Sequence, residues 1–193
     1  SVAFIASVLE NCPGAVHVFD HFHVVKLMND HLDDIRRKVY AMEKDVNKRK
    51  VLKGTRYLLL GNGEDIFDQQ HKTRLDNALA MNEPLSKAYY LKEQLREIWS
   101  QISKEKAEAV LDDWVKQARE SKIPQLMRMA ATLLAHRRGI LAWYDSHVST
   151  GKVEGINNKI KVMKRNAYGF RDDRYFTLRL YALHDCRITR NVG

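Results

Sequence analysis

The sequence predicts a mainly α-helical protein with one short strand, and three observations lead to that fold class. Of the 193 residues, 45% are hydrophobic, which is enough to bury a sizeable core. Only three prolines and nine glycines occur, so few positions interrupt a helix. Apolar residues recur every three or four positions over most of the chain, which is typical of amphipathic helices.

The first elements are a strand and a long helix. Residues 16–19 form a β-prone run that follows a Pro-Gly turn signal, so the strand is predicted there. From Phe22 to Val46 the apolar residues step by three or four, which predicts a long amphipathic helix. Gly54 and then the Gly-Asn-Gly run at 61–63 are expected to break the chain after it.

The middle of the chain is predicted to be a helical bundle. Helical spacing of apolar residues indicates further helices at about 64–81, 85–102, 107–118 and 124–144. Pro124 stands where the last of these helices can begin, since proline is tolerated in the first turn.

The composition changes near the end of the chain. A polar loop at about 146–151 precedes a basic helix predicted at about 153–165, and a turn with aromatic flanks follows at 168–170. Asp172 and Asp173 favour a last helix, because acidic residues stabilise a helix N-terminus.

Positive charge is concentrated in two blocks. The chain carries a net charge of +9, and residues 36–56 hold nine Lys and Arg against two acids. Residues 152–190 hold ten against four. Clustered positive charge is typical of proteins that bind a polyanion such as DNA, although a solvated basic helix face gives the same pattern.

The sequence predicts a cytoplasmic protein with no membrane partner. The longest apolar run has only a few residues, and no basic region precedes an apolar stretch at the start of the chain. Cys12 and Cys186 are far apart and have no metal-binding spacing, which suits reduced thiols better than a disulfide framework.

Two carboxylates stand out by their context. Asp20 ends the predicted strand, and Glu154 begins the predicted basic helix. Acids from distant segments can share a Mg²⁺ ion, which binds a few carboxylates together with substrate phosphate oxygens. Equally, Asp20 can serve as an N-cap and Glu154 as an acid that complements the helix dipole, so both interpretations stay open.

Three blocks of sequence resemble bacterial insertion-sequence transposases of the DDE type. Residues 151–171, GKVEGINNKIKVMKRNAYGFR, resemble the C-terminal catalytic signature of that family, which carries its third acidic residue. Residues 18–26, VFDHFHVVK, resemble the second-Asp motif, and residues 52–60, LKGTRYLLL, are similar to a weaker block. The blocks occur in the family's order, so the resemblance covers essentially the whole chain.

The resemblance implies a ribonuclease-H-like α/β catalytic core with a large helical insertion. Asp20 matches the second acid and Glu154 the third. Residues 1–50 would be the end of a core strand and a long helix, 51–147 the insertion bundle, and 148–193 the core helices that carry the Glu. The first Asp would lie on an earlier strand, so we expect a C-terminal portion of a longer transposase that is inactive alone.

The resemblance also implies cofactors and partners. In the intact enzyme Asp20 and Glu154 would hold Mg²⁺ or Mn²⁺ for cleavage and transfer of transposon ends, and this fragment is expected to bind no ion stably. Because the two acids would share this site, their side chains are expected to approach within roughly 8 Å. The intact enzyme is expected to be a homo-oligomer. The residues expected to neutralise DNA phosphates are Lys159, Lys161, Lys164 and Arg165.

A different class of function fits the same residues. The chain can be a non-catalytic helical module that binds nucleic acid or assembles a transposase, with Asp20 and Glu154 serving only as helix caps. Tyr168 and Phe170 are expected to be packing residues rather than residues that stack on bases.

Overall fold

The protein is built from helices. A computed structural model describes residues 2–146 and 151–184, and these residues form twelve α-helices, two 3-10 turns and no strand. The mainly α prediction is therefore confirmed. The helices are α1 (Val2–Asn11), α2 (His21–Met42), α3 (Val46–Leu52), α4 (Arg56–Leu60), α5 (Gln69–Ala80), α6 (Glu83–Glu97), α7 (Lys104–Glu120), α8 (Pro124–Ala135), α9 (Arg137–Leu141), α10 (Trp143–Ser146), α11 (Gly151–Asn166) and α12 (Asp173–Tyr181).

The chain divides into two compact units, Ser1–Val148 and Ser149–Gly193. In the first unit α2 packs against α6 and α8, and α7 packs against both of them. The buried face of α2 consists of Val24, Met28, Leu32 and Ile35, which follow the three- and four-residue spacing of its sequence. The indole of Trp114 donates a hydrogen bond of 2.7 Å to the Leu91 carbonyl and so joins α7 to α6 inside the core.

The long helix predicted from Phe22 to Val46 is two helices. α2 ends at Met42, where the next residue adopts an extended conformation. The Asp45 side chain accepts hydrogen bonds from the backbone N–H groups of Asn47, at 2.7 Å, and Lys48, at 3.1 Å, and begins α3. A local acid able to cap a new helix therefore outweighs the continuous apolar spacing.

The helix predicted at 124–144 is also interrupted. α8, α9 and α10 replace it, and His136 at the first junction has a non-helical conformation. The helix predicted from about residue 64 begins later, at Gln69, because Asp68 caps it through the Gln70 N–H group.

The strand predicted at residues 16–19 is wrong. These residues belong to no helix or strand, and the Phe19 N–H group donates a 3.0 Å hydrogen bond to the Gly139 carbonyl in α9. The Phe19 ring packs with its centroid 4.5 Å from the rings of His17 and His136. An apolar, β-branched run fits a groove on a bundle as well as a sheet, so the sequence pattern does not separate the two. The ribonuclease-H-like core stays a prediction.

Glycine at position 139 makes this contact possible. A methyl group at that position would lie 2.8 Å from Phe19 Cε2, closer still to Cδ2, and 3.1 Å from the His17 carbonyl oxygen. The adjacent Arg137 anchors the same short helix, because its guanidinium pairs with Glu108 and Asp112 on α7. That contact lowers the pKa of the Asp112 carboxyl.

The second unit contains α11 and α12. The Asp172 carboxylate caps α12 by accepting hydrogen bonds from the N–H groups of Arg174 and Tyr175. Between the helices, Phe170 packs against Tyr175 and Phe176, with ring centroids 5.9 Å and 5.1 Å away.

None of the helices within 2–146 and 151–184 is long and apolar enough to cross a membrane. Cys12 is an exposed free thiol, and Cys186 lies outside the described residues.

Replacing Gly139 by Ala should destabilise the first unit by about 1–3 kcal/mol, because the added methyl group overpacks the contact with Phe19. The free energy of unfolding in urea, followed by circular dichroism, measures the effect. Gly14→Ala is the matched control, since a methyl group at position 14 meets no atom within 4 Å. Equal stabilities of the two variants would contradict the role given to Gly139.

Candidate catalytic carboxylates and nucleic-acid interface

Asp20 lies at the N-terminus of α2 and caps it. One carboxylate oxygen accepts a hydrogen bond of 2.9 Å from the Phe22 N–H group, and the other lies 3.1 Å from Nδ1 of His23. The side chain is only 10% exposed. The capping interpretation of Asp20 is therefore confirmed, and these contacts also fix the carboxylate in position.

The same local geometry recurs at Asp68, which caps α5. Its carboxylate accepts a 3.1 Å hydrogen bond from the Gln70 N–H group and lies 3.0 Å from Nδ1 of His71. In both places an Asp is followed three positions later by a His. The contact between Asp20 and His23 is thus a feature of the cap, and it is no evidence of a catalytic pair.

Asp20 differs from Asp68 in what precedes it. Phe19, its neighbour in the chain, is fixed by the hydrogen bond to Gly139 and by the rings of His17 and His136. The Asp68 side chain is 52% exposed, against 10% for Asp20. Asp20 therefore enters its helix from a segment that is packed on the bundle.

The described residues do not form a metal site by themselves. Among the side chains that the structure describes, which do not include Glu154, no group of three or more His, Cys, Asp or Glu could hold an ion. Glu154 belongs to α11, in the other unit, and its side chain lies outside the described part of the chain. The expected approach of the two carboxylates to within about 8 Å therefore stays a prediction.

The four basic residues predicted to bind DNA phosphates are all exposed on α11, but they do not lie on one face of the helix. With about 100° of rotation per residue, Lys161, Lys164 and Arg165 fall within roughly 100° of one another. Lys159 points about 120° or more away from each of them by the same arithmetic. We call the face that carries Lys161, Lys164 and Arg165 the basic face of α11.

Lys159 belongs to a groove between α11 and α12. This groove has a volume of about 570 Å³, and its lining includes Lys159, Val162 and Met163 from α11 and Tyr175 and Arg179 from α12. Lys164 lies at the border, because its ammonium stands 4.7 Å above the Phe176 ring. This cation–π contact orients the side chain without neutralising its charge.

Four of the nine basic residues of the first block form ion pairs within the protein. Asp33 of α2 lies 2.8 Å from Arg36, 3.6 Å from Arg37 and 3.5 Å from Arg56. Lys38 pairs with Asp34 at 3.1 Å. These acids precede the basic block in sequence, so a count of charge by segment does not reveal the pairing.

Part of the first block stays exposed. Within the described residues no ion pair involves its remaining lysines, and all of them are exposed. They are Lys44, Lys48, Lys50 and Lys53. The exposed charge of the first block is therefore smaller than the sequence count of +7 indicates.

Sequence reasoning missed the residues that hold Asp20 in place. Gly139 and Arg137 lie more than 100 positions from Asp20 and belong to no motif. The one available signal was a glycine inside a helical pattern, which often marks a close approach of another segment.

Comparison with known proteins gives a consistent answer. A transposase family profile matches residues 1–180. The transposase for insertion sequence element IS1001 of Bordetella parapertussis is 37% identical, over 94% of this chain and 45% of its own length. The transposase for insertion sequence element IS1557 of Mycobacterium tuberculosis is 32% identical, over 85% of this chain and 41% of its own. The chain thus spans less than half the length of these relatives. No solved structure matches it.

Replacing Asp20 by Ala should lower the free energy of unfolding by about 0.5–2 kcal/mol, because the N-cap hydrogen bond is lost. Asp20→Asn should cost much less, since an amide oxygen caps a helix about as well as a carboxylate. Asp68→Ala and Asp68→Asn form the matched pair at the other cap of this kind. Urea titrations measure all four variants. An Asn variant as unstable as the Ala variant would contradict the capping role.

Proposed function

Because the chain belongs to the family of bacterial insertion-sequence transposases, we propose that it is part of an enzyme that cleaves transposon DNA ends and transfers them to a target. The observation that carries the proposal is the basic face of α11, whose three cations are exposed and lie on one side of a single helix. DNA carries its phosphates in regular rows, and such a row of cations can neutralise several of them.

The proposed DNA contact and the third acid share a helix face. Position 154 precedes Lys161 by seven residues and Arg165 by eleven, and both spacings return to the same side of an α-helix. A carboxylate that acts on a phosphodiester needs cations that hold the neighbouring phosphates. The spacing supports that arrangement for Glu154.

Asp20 is proposed as the other catalytic carboxylate of this chain. Its cap and the packed Phe19 hold it in a fixed position, as a catalytic group requires. In the whole enzyme Asp20 and Glu154 would be ligands for Mg²⁺ or Mn²⁺, which supply Lewis-acid activation for phosphodiester cleavage. In the part of the chain that the structure describes, Asp20 does not lie in a group of three such ligands.

The proposal extends to the setting of the enzyme. An enzyme of this family acts on the DNA of a bacterial cell, so we expect this chain to work in the cytoplasm. We also expect a homo-oligomer, because two transposon ends must be brought together for transfer.

One observation favours a second candidate function, a helical module that binds DNA without cutting it. Asp20 has a complete structural role as a helix cap, which it shares with Asp68. In this alternative the basic face of α11 binds DNA as before, and the two acids take no part in catalysis.

The 193-residue chain should bind duplex DNA with an affinity that falls steeply as salt rises and depends little on sequence. Replacing Lys161, Lys164 and Arg165 together by Ala should weaken binding and reduce the slope of log K against log salt by about 2 to 3, since each phosphate contact contributes about 0.9. Fluorescence anisotropy titrations at several salt concentrations measure both quantities.

Lys159→Ala is the matched control for Lys161→Ala. Both residues are exposed lysines of α11, but Lys159 lines the groove toward α12. We expect the larger loss of affinity for Lys161→Ala. Salt-independent binding, or an equal loss for the two variants, would count against the basic face as the DNA contact.

The 193-residue chain should not cleave DNA with Mg²⁺ or Mn²⁺, because two carboxylates do not complete a two-metal site. In a polypeptide extended to the length of the relatives, Asp20→Asn and Glu154→Gln should each abolish cleavage of transposon ends. Asp68→Asn should leave it intact, since this variant keeps an equivalent cap. A gel assay of labelled transposon ends gives the answer. Full cleavage activity of Asp20→Asn would contradict the catalytic role of Asp20 and would favour the helical module that binds DNA without cutting it.

A further inference from the structure

Tyr168 has an unusual backbone conformation. It follows α11 and has a φ angle of +51°, in the left-handed region that suits glycine. Two hydrogen bonds fix this turn, from the Gly169 N–H group to the Lys164 carbonyl at 3.0 Å and from the Tyr168 N–H group to the Arg165 carbonyl at 3.1 Å. A bulky residue in this conformation is strained, and such strain is concentrated at functional sites.

The side chain of Tyr168 is fully exposed, at 101% of its reference area. The neighbouring aromatic residue behaves differently, since Phe170 is half-buried and packs against Tyr175 and Phe176. Both Tyr168 and Phe170 are expected to be packing residues. Within the second unit only Phe170 packs in this way. Packing inside this unit therefore does not explain an aromatic residue at position 168.

Positive charge surrounds the exposed ring in sequence. Lys164 and Arg165 lie in the last turn of α11, and Arg171 follows the turn. The nearby Asp172 is occupied as the cap of α12. An aromatic ring open to solvent between cations is the combination that binds the bases of single-stranded nucleic acid, because the cations hold phosphates while a base stacks on the ring.

We propose that Tyr168 is a stacking platform for an unpaired base at the DNA end bound by the basic face of α11. The ligand class is an unpaired nucleobase of any sequence, since every base offers a flat face for stacking. This inference rests on the proposed function, because the phosphates next to that base would be bound by Lys161, Lys164 and Arg165. The strained turn holds the ring clear of the helix, where a base can reach it.

The test uses the 193-residue chain and two short DNA probes of equal length. One is fully paired, and the other carries one unpaired 2-aminopurine at its end, whose fluorescence falls when it stacks. Tyr168→Ala should weaken binding of the second probe by about 5- to 150-fold and remove the quenching, with little change for the paired probe. Tyr168→Phe and Tyr168→Trp should bind like the parent chain.

Tyr168→Gly separates stacking from a structural role. Glycine suits the left-handed conformation, so this variant should fold at least as stably as the parent chain and still lose the quenching. Tyr181→Ala is the matched control, because Tyr181 is another exposed tyrosine of the same unit, at 77%. The slope against salt should be unchanged in Tyr168→Ala, since no phosphate contact is lost.

The outcomes are distinct. Absence of binding to either probe at low salt would overturn the proposed DNA contact itself. Salt-dependent binding together with normal quenching in Tyr168→Gly would overturn the stacking role alone. A change in oligomeric state in Tyr168→Ala, with DNA affinity unaltered, would show that the ring contacts protein and would likewise overturn the inference.

Discussion

The close contact between the backbones of Phe19 and Gly139 is the constraint on which the geometry around Asp20 depends. An extended segment can lie this near a helix only where the helix lacks a side chain, and position 139 is a glycine. Arg137 fixes the same helix to α7, so the contact is anchored to the core of the first unit. Asp20 then follows directly and begins α2, the helix that packs against both α6 and α8.

The two basic blocks differ in how their charges are paired, although they look alike in composition. In the first block Arg36, Arg37 and Arg56 lie around Asp33, and the Arg56 pair joins α4 to α2. In the second block the cations of α11 are exposed to solvent. Lys164 also makes a cation–π contact with the Phe176 ring. Charge that is already neutralised releases few counterions from DNA, so the unpaired cations of each block have the most capacity to bind it.

Much of the fold could be predicted from the sequence, because helical spacing of apolar residues is a local signal. Where the predicted helix boundaries are wrong, the causes are local as well. Asp45 starts a new helix although the apolar spacing continues, and Asp68 starts α5 later than the apolar spacing predicts. The sequence predicts a strand at residues 16–19, whereas the backbone partner of Phe19 is Gly139, which is distant in sequence. The candidate site could be predicted only through family motifs. Helical spacing alone separates Lys159 from the other cations, but its place in a groove needed the positions of α11 and α12.

Hydrogen–deuterium exchange of the 193-residue chain with and without duplex DNA would show whether α11 is the nucleic-acid-binding element. The account predicts DNA-dependent protection of α11 around Lys161, Lys164 and Arg165, extending to the turn at Tyr168. Peptides from α6 and α7 should be unchanged, because residues 57–151 carry no net charge. Protection confined to α6 and α7, with α11 unaffected, would contradict it.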